Sequence, residues 1–395
     1  MSGDDRSPAV PAPAMKPPLL EVGFNYPGPY NRYGTTIGPR DIEHATPLGV
    51  GQGQSVFKDV TPTAPLGVLD RNLKILRDQL KIKKVRMFLL GNAFNYGTRP
   101  TNPPPSFSRS RFVIPTTAHP LFVDHFKQML EIFARNEVKV LPSLLDFGAF
   151  YPIDKGMGGG RTDIIFRPDD FITGMVEPLV KASLAFKDSV WMWEAVNEPV
   201  WNTIDAPFVG RPHAGNADFA DCTKNEMARF IRRCLDVFEG QGFDSTVGHR
   251  FLSDLSGPMP TGTKPQFHLY GAGGARSIVN LDDPDPIPGF GNAKVKGAFI
   301  GEFGAAPGGG SVDVMGFKEP GDPWPECDGA DNDRKLTCFA RLKVLARKGY
   351  QFAFVWPDRN AGEPGVVAED ELKLTADAQA SIKKFTTGLF VNGVP

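Results

Sequence analysis

The chain has 395 residues, with 44 Lys and Arg against 45 Asp and Glu and a formal net charge of −1. This balance excludes an electrostatic nucleic-acid binder, which carries a basic surplus, and an acidic disordered tail. The chain contains 43 Gly and 37 Pro, together about a fifth of it where roughly 12% is average. Because 11% of the residues are aromatic, global disorder does not fit, and the surplus indicates an ordered scaffold with long, stiff loops.

The N-terminal segment 1–18, MSGDDRSPAVPAPAMKPP, has no apolar stretch typical of a secretory signal. Its composition predicts a disordered, partly polyproline tail before a single domain over 19–395. No apolar run approaches the roughly 18 residues of a membrane helix, so no membrane association is expected. The sequence as written predicts a cytoplasmic protein, or a secreted one if a signal has been removed, and leaves the oligomeric state open.

The chain has four cysteines. Cys222 and Cys234 lie twelve residues apart on one predicted helix, too far along its axis for a disulfide. Cys327 and Cys338 flank a polar segment and can close a loop, or all four can be free thiols of a reducing compartment. Without a CxxC pair or nearby histidines, no zinc site is expected. No other metal and no cofactor is expected either.

Apolar runs suited to buried strands alternate with helical patterns along the chain. The predicted strands cover 19–24, 84–90, 138–145, 190–196, 249–255, 266–270, 297–303 and 351–356. The predicted helices cover 68–80, 121–136, 171–186, 218–240, 333–348 and 374–389. Such alternation indicates βαβ units and an α/β fold, a (β/α)8 TIM barrel in which helices 5 and 6 are reduced.

The connections predict which end of the barrel carries the site. Links from helix to strand are only a few residues long, whereas links from strand to helix are long and hold most of the Gly and Pro. The long links cover 25–67, 91–118, 147–168, 199–216, 304–332 and 357–373. Active sites of this fold lie on the face formed by the strand C-termini.

Two glutamates follow apolar strands on that face. Glu198 comes directly after the strand 190–196 in Asn197-Glu198-Pro199, and Glu302 ends the strand 297–303 in GEFG. Strands four and seven of a closed barrel face each other across its mouth. Two carboxylates so placed suit glycoside hydrolysis, one as proton donor and one as nucleophile or base. The alternative interpretation is that each glutamate caps a helix or pairs with an arginine.

The motifs WEAVNEP and GEFG resemble those of the retaining (β/α)8 glycoside hydrolases, and most closely the cellulase and mannanase family, glycoside hydrolase family 5. The resemblance implies that Glu198 is the acid/base and Glu302 the nucleophile. It also implies substrate-binding roles for further residues, each at a strand end. These are Arg86 in VRMF, Asn197, His268 and Tyr270 in HLY, and Trp356 at the end of the last strand. The third strand ends in Asp146, followed by Gly148 where many cellulases have histidine.

The proposed reaction requires particular protonation states and a particular separation of Glu198 and Glu302. Glu302 has to be ionised, which Arg86 and the Tyr270 hydroxyl would favour, and Glu198 has to be protonated, which an anionic Glu302 would favour. A retaining mechanism requires carboxyl groups roughly 5–5.5 Å apart, against 6.5–9.5 Å for inversion. Strand alternation would point Asn197 and Glu198 to opposite faces, so we predict a distortion at this strand end.

Aromatic side chains also concentrate near the predicted site. Tyr26 and Trp201 follow strands and are candidates for stacking against sugar rings, or alternatively for pinning long loops onto the barrel. Trp191 and Trp193 fall within a strand and are predicted core residues. Glu194 is predicted to pair with a cation inside the barrel, with Arg86 as the candidate.

The sequence therefore predicts a retaining glycosidase that cleaves β-glycosidic bonds of glucan- or mannan-type oligo- or polysaccharides. A transglycosylase using the same residues, a non-catalytic carbohydrate-binding barrel and a metal-assisted barrel enzyme are the alternatives. Sugar identity, linkage, and endo or exo action stay open, because they depend on the shape of the loops.

Overall fold

The computed structural model describes residues 20–26, 63–90, 118, 120–146, 163–166, 168–203, 222–269, 281, 297–305, 338–357, 372, 374 and 376–387. Its strands form a closed barrel in the chain order β1 to β8, and every neighbouring pair is parallel. The strands are β1 (Glu21–Asn25), β2 (Lys84–Leu90), β3 (Lys139–Asp146), β4 (Trp193–Asn197), β5 (Ser245–His249), β6 (Gln266–Leu269), β7 (Phe299–Gly304) and β8 (Phe352–Trp356). The predicted (β/α)8 barrel is confirmed.

Helices occupy the links that return the chain to the start of the next strand. They are α1 (Thr63–Asp78), α2 (Pro120–Arg135), α3 (Asp163–Phe166), α4 (Pro168–Phe171), α5 (Glu177–Ser183), α6 (Lys224–Gly240), α7 (Cys338–Arg347) and α8 (Ala376–Thr387). The helix predicted over 171–186 is segmented, because a π-helical turn (Ile172–Val176) joins α4 to α5 and a 3-10 turn (Leu184–Ser189) follows α5. The cap of α6 is a capping box between Thr223 and Glu226, which satisfies N–H groups that have no partner within the helix.

The strand predicted over 249–255 is wrong. The fifth strand is β5, which ends at His249, and the apolar residues after it form a 3-10 helix (Leu252–Ser256) that buries Leu252 and Leu255. β5 has no continuous apolar run because Thr246 and Gly248 face polar groups inside the barrel. Between β5 and β6 the chain has only this 3-10 helix, so the reduced fifth helix is confirmed.

Aromatic side chains close the N-terminal end of the barrel. Leu141, Met192, Phe299 and Phe354 form an interior cluster against which Trp191 and Phe352 pack. Trp193 points outward and stacks on Phe238 of α6, with ring centroids 5.2 Å apart. Trp193 is a core residue, as predicted, whereas Trp191 precedes β4 and is only partly buried against the interior cluster. The polar chemistry lies at the opposite end of the barrel.

Some predictions fall outside the described residues. They concern the tail over 1–18 and hence the boundary of the domain 19–395, the sixth helical region, Tyr270 and Cys327. Within the described ranges, no helix is both long enough and apolar enough to span a membrane.

Candidate active site

Glu198 and Glu302 meet at the C-terminal end of the barrel, from opposite strands. Glu302 lies in β7, and Glu198 is the residue directly after β4. One oxygen from each carboxyl group and a ring nitrogen of His268 all lie within 4.8 Å of one another. Glu302 is 5% exposed, and the Glu198 side chain is 13% exposed. The fold therefore brings the two predicted carboxylates into one buried cluster.

The predicted distortion at the end of β4 is confirmed. The register against β5 shifts between Glu194 and Asn197, so both side chains point into the barrel although they are three residues apart. Glu198 then adopts a left-handed backbone conformation, φ 49° and ψ 48°, which is uncommon for a residue with a Cβ. These two departures from regular geometry bring Asn197 and Glu198 to the same site.

β7 is irregular around its glutamate as well. Its register shifts against both β6 and β8 near Gly301 and Glu302. A Cβ at Gly301 would collide with the side chain of Gln266, so glycine is required for this close approach.

Arg86 is the centre of the hydrogen-bond network beneath the two glutamates. Its Nε and Nη2 donate to the two oxygens of Glu194 at 2.6 Å, and Nη2 also donates to Asn197 Oδ1 at 2.6 Å. Its Nη1 donates to Asn25 Oδ1 at 3.0 Å and to Glu302 Oε1 at 2.5 Å. All five N–H donors of this fully buried guanidinium are thereby used, and the predicted contact with Glu194 is confirmed.

The surroundings of Glu302 shift its pKa in both directions. Burial raises the pKa of Glu302 above its ordinary value, as does the neighbouring Glu198, whereas His268 and Arg86 lower it. Arg86 favours the ionised form, as the sequence predicted, but burial outweighs it. Glu302 Oε2 lies 3.6 Å from Nδ1 of His268, so each of its oxygens faces a nitrogen.

Glu198 differs from Glu302 in having no guanidinium contact from the described part of the chain. Its Oε2 accepts a hydrogen bond from Nε1 of Trp201 at 2.7 Å, and its Oε1 lies 2.8 Å from Nδ1 of His268. Burial raises the pKa of Glu198 to about 7, against the lowering effects of the Trp201 hydrogen bond and of Arg86. The sequence predicted the direction of this pKa shift but attributed it to Glu302, whereas its main cause is burial.

His268 is neutral at physiological pH, because burial lowers its pKa to about 4. Its Nε2 lies 3.4 Å from Nε2 of Gln266, an amide nitrogen that also donates to Glu194 at 3.0 Å. An amide nitrogen is a donor only, so His268 Nε2 accepts and Nδ1 carries the hydrogen. In this tautomer Nδ1–H donates to Glu198.

The other predicted site residues are distributed around this cluster. Asp146 accepts a hydrogen bond from Nδ2 of Asn197 at 2.8 Å. Trp356, at the end of β8, packs edge-on against Phe88 with ring centroids 6.3 Å apart. Tyr26 is not brought to the cluster: it is 1% exposed in the core, where its hydroxyl accepts from Asn72 of α1. The proposed site therefore does not include Tyr26.

Several residues of the site were missed from the sequence. Asn25 at the end of β1 accepts from Arg86 and donates to Gly301 O at 2.9 Å. Ser143 donates to Glu194 at 2.8 Å, and Gln266 bonds to Glu194 from β6. Their one sequence signal is a polar residue within an apolar strand. Arg250 was hidden by the incorrect strand prediction over 249–255.

A metal ion would find one set of ligands in this cluster. Within the described residues, Glu198, His268 and Glu302 offer two carboxylate oxygens and an imidazole nitrogen close enough to share an ion. His268 Nδ1 carries a hydrogen that it donates to Glu198, and Glu302 accepts from Arg86. Because these hydrogen bonds already use the atoms that would bind an ion, we assign the three groups to proton transfer and not to metal binding.

No protein-family model matches the sequence, and no curated protein matches it. Solved structures do match, and they show that the fold is that of (β/α)8 glycoside hydrolases. A variant of the GH5_18 enzyme of Streptomyces cattleya in complex with Manβ1-4GlcNAc is 16% identical, with a TM-score of 0.50 over 92% of this chain and 79% of that one. The GH5_18 enzyme of Bifidobacterium longum is 13% identical, with a TM-score of 0.50 over 92% and 78%. An endo-1,4-β-mannanase of Eisenia fetida is 15% identical, with a TM-score of 0.49 over 90% of each chain.

Proposed function

We propose that this protein is a retaining glycoside hydrolase that cleaves β-glycosidic bonds through a covalent glycosyl-enzyme. The observation that carries the proposal is the pairing of Glu198 and Glu302, whose carboxyl oxygens approach within 4.8 Å across the mouth of the barrel. Retaining enzymes hold their carboxyl groups roughly 5–5.5 Å apart, and inverting enzymes need 6.5–9.5 Å to admit a water molecule. This close approach supports retention rather than inversion.

The two environments assign the roles. Glu302, bonded to Arg86, is the nucleophile, and Glu198, whose pKa is raised to about 7, is the acid/base. In the first step Glu302 attacks the anomeric carbon, the bond to the leaving oxygen breaks, and Glu198 gives its proton to that oxygen. In the second step Glu198 takes a proton from water, the water oxygen bonds to the anomeric carbon, and Glu302 leaves as a carboxylate.

The substrate we propose is a β-linked glucan- or mannan-type oligo- or polysaccharide. Support comes from the resemblance to glycoside hydrolase family 5 and from the GH5_18 fold neighbour in complex with Manβ1-4GlcNAc. Trp201, which is bonded to Glu198, and Trp356, at the end of β8, are both partly exposed. Each offers a ring on which a sugar can stack. Transglycosylation would use the same two glutamates with a sugar hydroxyl in place of water.

The test is hydrolysis of a panel of aryl β-glycosides, β-glucan, β-mannan and Manβ1-4GlcNAc. We expect wild-type protein to cleave at least one of them, and Glu302→Ala to lose at least about 100-fold in kcat because no group can replace the nucleophile. Glu131→Gln, an exposed glutamate of α2, is the matched control and should keep full activity.

Two outcomes would contradict the proposal. One is a wild-type protein that cleaves none of the panel while folding normally, which would favour a non-catalytic binding barrel. The other is a product released first as the α-anomer by NMR, since double displacement returns the β-anomer. Running the assay in EDTA distinguishes the proposed metal-free mechanism from metal-assisted chemistry, because a chelator would abolish activity only in the second case.

A further inference from the structure

Arg250 is the first residue after β5 and lies at the C-terminal end of the barrel. It is 6% exposed, and its Nε and Nη2 donate to the two oxygens of Asp254 at 2.9 and 3.2 Å. The third nitrogen, Nη1, is buried and has no hydrogen-bond partner among the residues that the structure describes. A buried guanidinium with an unused donor is costly for the fold, which points to a role beyond the salt bridge.

The guanidinium of Arg250 lies over an aromatic ring of the site. Its central carbon is 4.4 Å from the ring centroid of Trp201, within the range of a cation–π interaction. Trp201 in turn donates its indole N–H to Glu198. A continuous chain of contacts thus runs from Asp254 through Arg250 and Trp201 to the proposed acid/base.

Local backbone geometry makes this chain possible. The left-handed conformation of Glu198 starts a 3-10 helix (Pro199–Asn202), in which the backbone N–H of Trp201 donates to Glu198 O at 3.1 Å. The tight turn folds the indole back onto the carboxyl group that precedes it by three residues. Arg250 covers the face of that indole and limits its rotation.

We propose that Arg250 is a positioning residue, which holds the Trp201 indole on Glu198 and, together with Asp254, sets how readily Glu198 gives up its proton. This inference rests on the proposed function, since it assigns Glu198 as the acid/base. A positive charge near a carboxyl group favours the ionised form, and a negative charge favours the protonated form. Arg250 and Asp254 therefore act on Glu198 in opposite directions.

The charges around Glu198 have these opposite effects on its pKa. The charge of Arg250 lowers the pKa of Glu198, and that of Asp254 raises it. Within the described residues, the other charged or titratable groups that face Glu198 are Arg86 from β2, His268 from β6 and Glu302 from β7. The charge of Asp254 also raises the pKa of His268, but burial holds that pKa at about 4. At higher pH His268 is neutral, so each substitution mainly removes its own charge from the surroundings of Glu198.

The experiment compares the pH dependence of kcat/KM for Arg250→Gln, Asp254→Asn and wild type, on a substrate that wild type cleaves. We expect the basic limb to move to higher pH in Arg250→Gln and to lower pH in Asp254→Asn, each by roughly half a unit or more. Arg232→Gln is the matched control, because Arg232 forms the same i,i+4 pair, with Asp236, on the surface of α6. Its profile should coincide with that of wild type.

Opposite shifts distinguish positioning of the acid/base from a merely structural role. If both substitutions move the limb in the same direction, or neither moves it, the inference is wrong. With a dinitrophenyl leaving group, which needs no proton, the rate of the glycosylation step should change much less in Arg250→Gln than with a sugar leaving group. If Arg250→Gln does not fold, the shift in Asp254→Asn, which keeps an acceptor for Arg250, decides alone.

A second readout does not depend on catalysis. With ¹⁵N-labelled tryptophan the chain gives five indole N–H signals, and Trp201→Phe identifies the one bonded to Glu198. We expect that signal to titrate in wild type with a midpoint near the pKa of Glu198, about 7, and to shift oppositely in the two variants. A wild-type protein that cleaves no substrate would refute the proposed function. A Trp201 indole signal that does not change with pH would refute the positioning role.

Discussion

Glu198 and Glu302 are the same residue type within one cluster, and their neighbours give them different properties. Glu302 accepts from a guanidinium, while Glu198 accepts from the indole of Trp201 and the neutral imidazole of His268. Charge-assisted hydrogen bonds favour a carboxylate more than neutral donors do. One residue is therefore suited to stay ionised and the other to carry a proton.

The raised pKa of Glu198 has a consequence for stability. Its pKa moves from 4.5 to about 7 on folding, so its stabilising contribution is complete below pH 4.5 and is lost as the pH rises through 7. Glu198→Gln, which cannot ionise, should therefore gain stability relative to wild type over this interval, by at most about 3 kcal/mol. Urea unfolding at pH 4.5, 6 and 8 measures this difference.

Glu131→Gln is the control for that measurement, and its stability relative to wild type should not change over this interval. A Glu198→Gln protein whose stability relative to wild type is the same at pH 4.5 and 8 would show that Glu198 titrates normally.

At the scale of single elements, β4 departs from regular geometry where the site needs it. Its register shift lets Glu194 and Asn197 share Arg86, and Glu198 leaves the strand in a left-handed conformation. The neighbouring strand accommodates this because Gly248 has no side chain there. The backbone N–H of Glu198 donates to Gly248 O at 2.6 Å, which ties the distorted turn to β5.

Gly248→Ala should disturb this turn. The new Cβ would lie 2.8 Å from Asn197 Oδ1, 2.9 Å from Glu194 Oε1 and 3.2 Å from Asn197 Cα. We expect a loss of about 1–3 kcal/mol in stability and up to about a 100-fold loss in kcat/KM through misplacement of Glu198. Thermal unfolding and the panel assay measure the two effects.

Gly67→Ala in α1 is the matched control, since no atom lies within 4 Å of its added Cβ. Because alanine favours a helix more than glycine does, it should stabilise the protein by about 0.5–1 kcal/mol and leave kcat/KM unchanged. Equal effects of the two substitutions would contradict the proposed close packing at Gly248.

At the scale of the whole molecule, one buried ion network joins strands from around the barrel. Arg86 of β2 reaches Asn25 of β1, Glu194 and Asn197 of β4, and Glu302 of β7. Through Glu194 the network extends to β3 and β6. Buried ion pairs contribute little net stability against apolar replacements, although breaking one is costly. The network therefore has a clearer role in positioning Glu302 than in holding the barrel together.

Stability and activity should consequently respond differently when Arg86 is replaced. Arg86→Met leaves Glu194 and Glu302 buried without their cation and should cost about 3–5 kcal/mol. The double variant Arg86→Met with Glu194→Met also removes one of the two carboxylates left without a cation. It should recover part of the lost stability without recovering activity. Urea unfolding and the panel assay compare the three proteins, and a double variant less stable than Arg86→Met would overturn this interpretation.

Much of the fold could be predicted because its signals are local. Seven of the eight predicted strands overlap the observed ones in β1 to β4 and β6 to β8. β5 was missed because its interior face is polar, so it lacks the apolar run by which the others were found. The location of Glu198 and Glu302 followed from the strand ends. Regular strand alternation would have pointed Asn197 and Glu198 to opposite faces, which is why the distortion at this strand end could be predicted.

By itself the sequence determined the alternation of strands and helices and the strand ends that carry the two glutamates, since hydrophobic periodicity and chain order are properties of neighbouring residues. Only the tertiary structure decided that Arg86 uses all five donors, that Arg250 covers Trp201, and that burial rather than Glu302 raises the pKa of Glu198. These depend on distances between groups far apart in the chain, such as the 2.5 Å between Arg86 and Glu302, and on how much water the packed barrel excludes. No local pattern encodes either quantity.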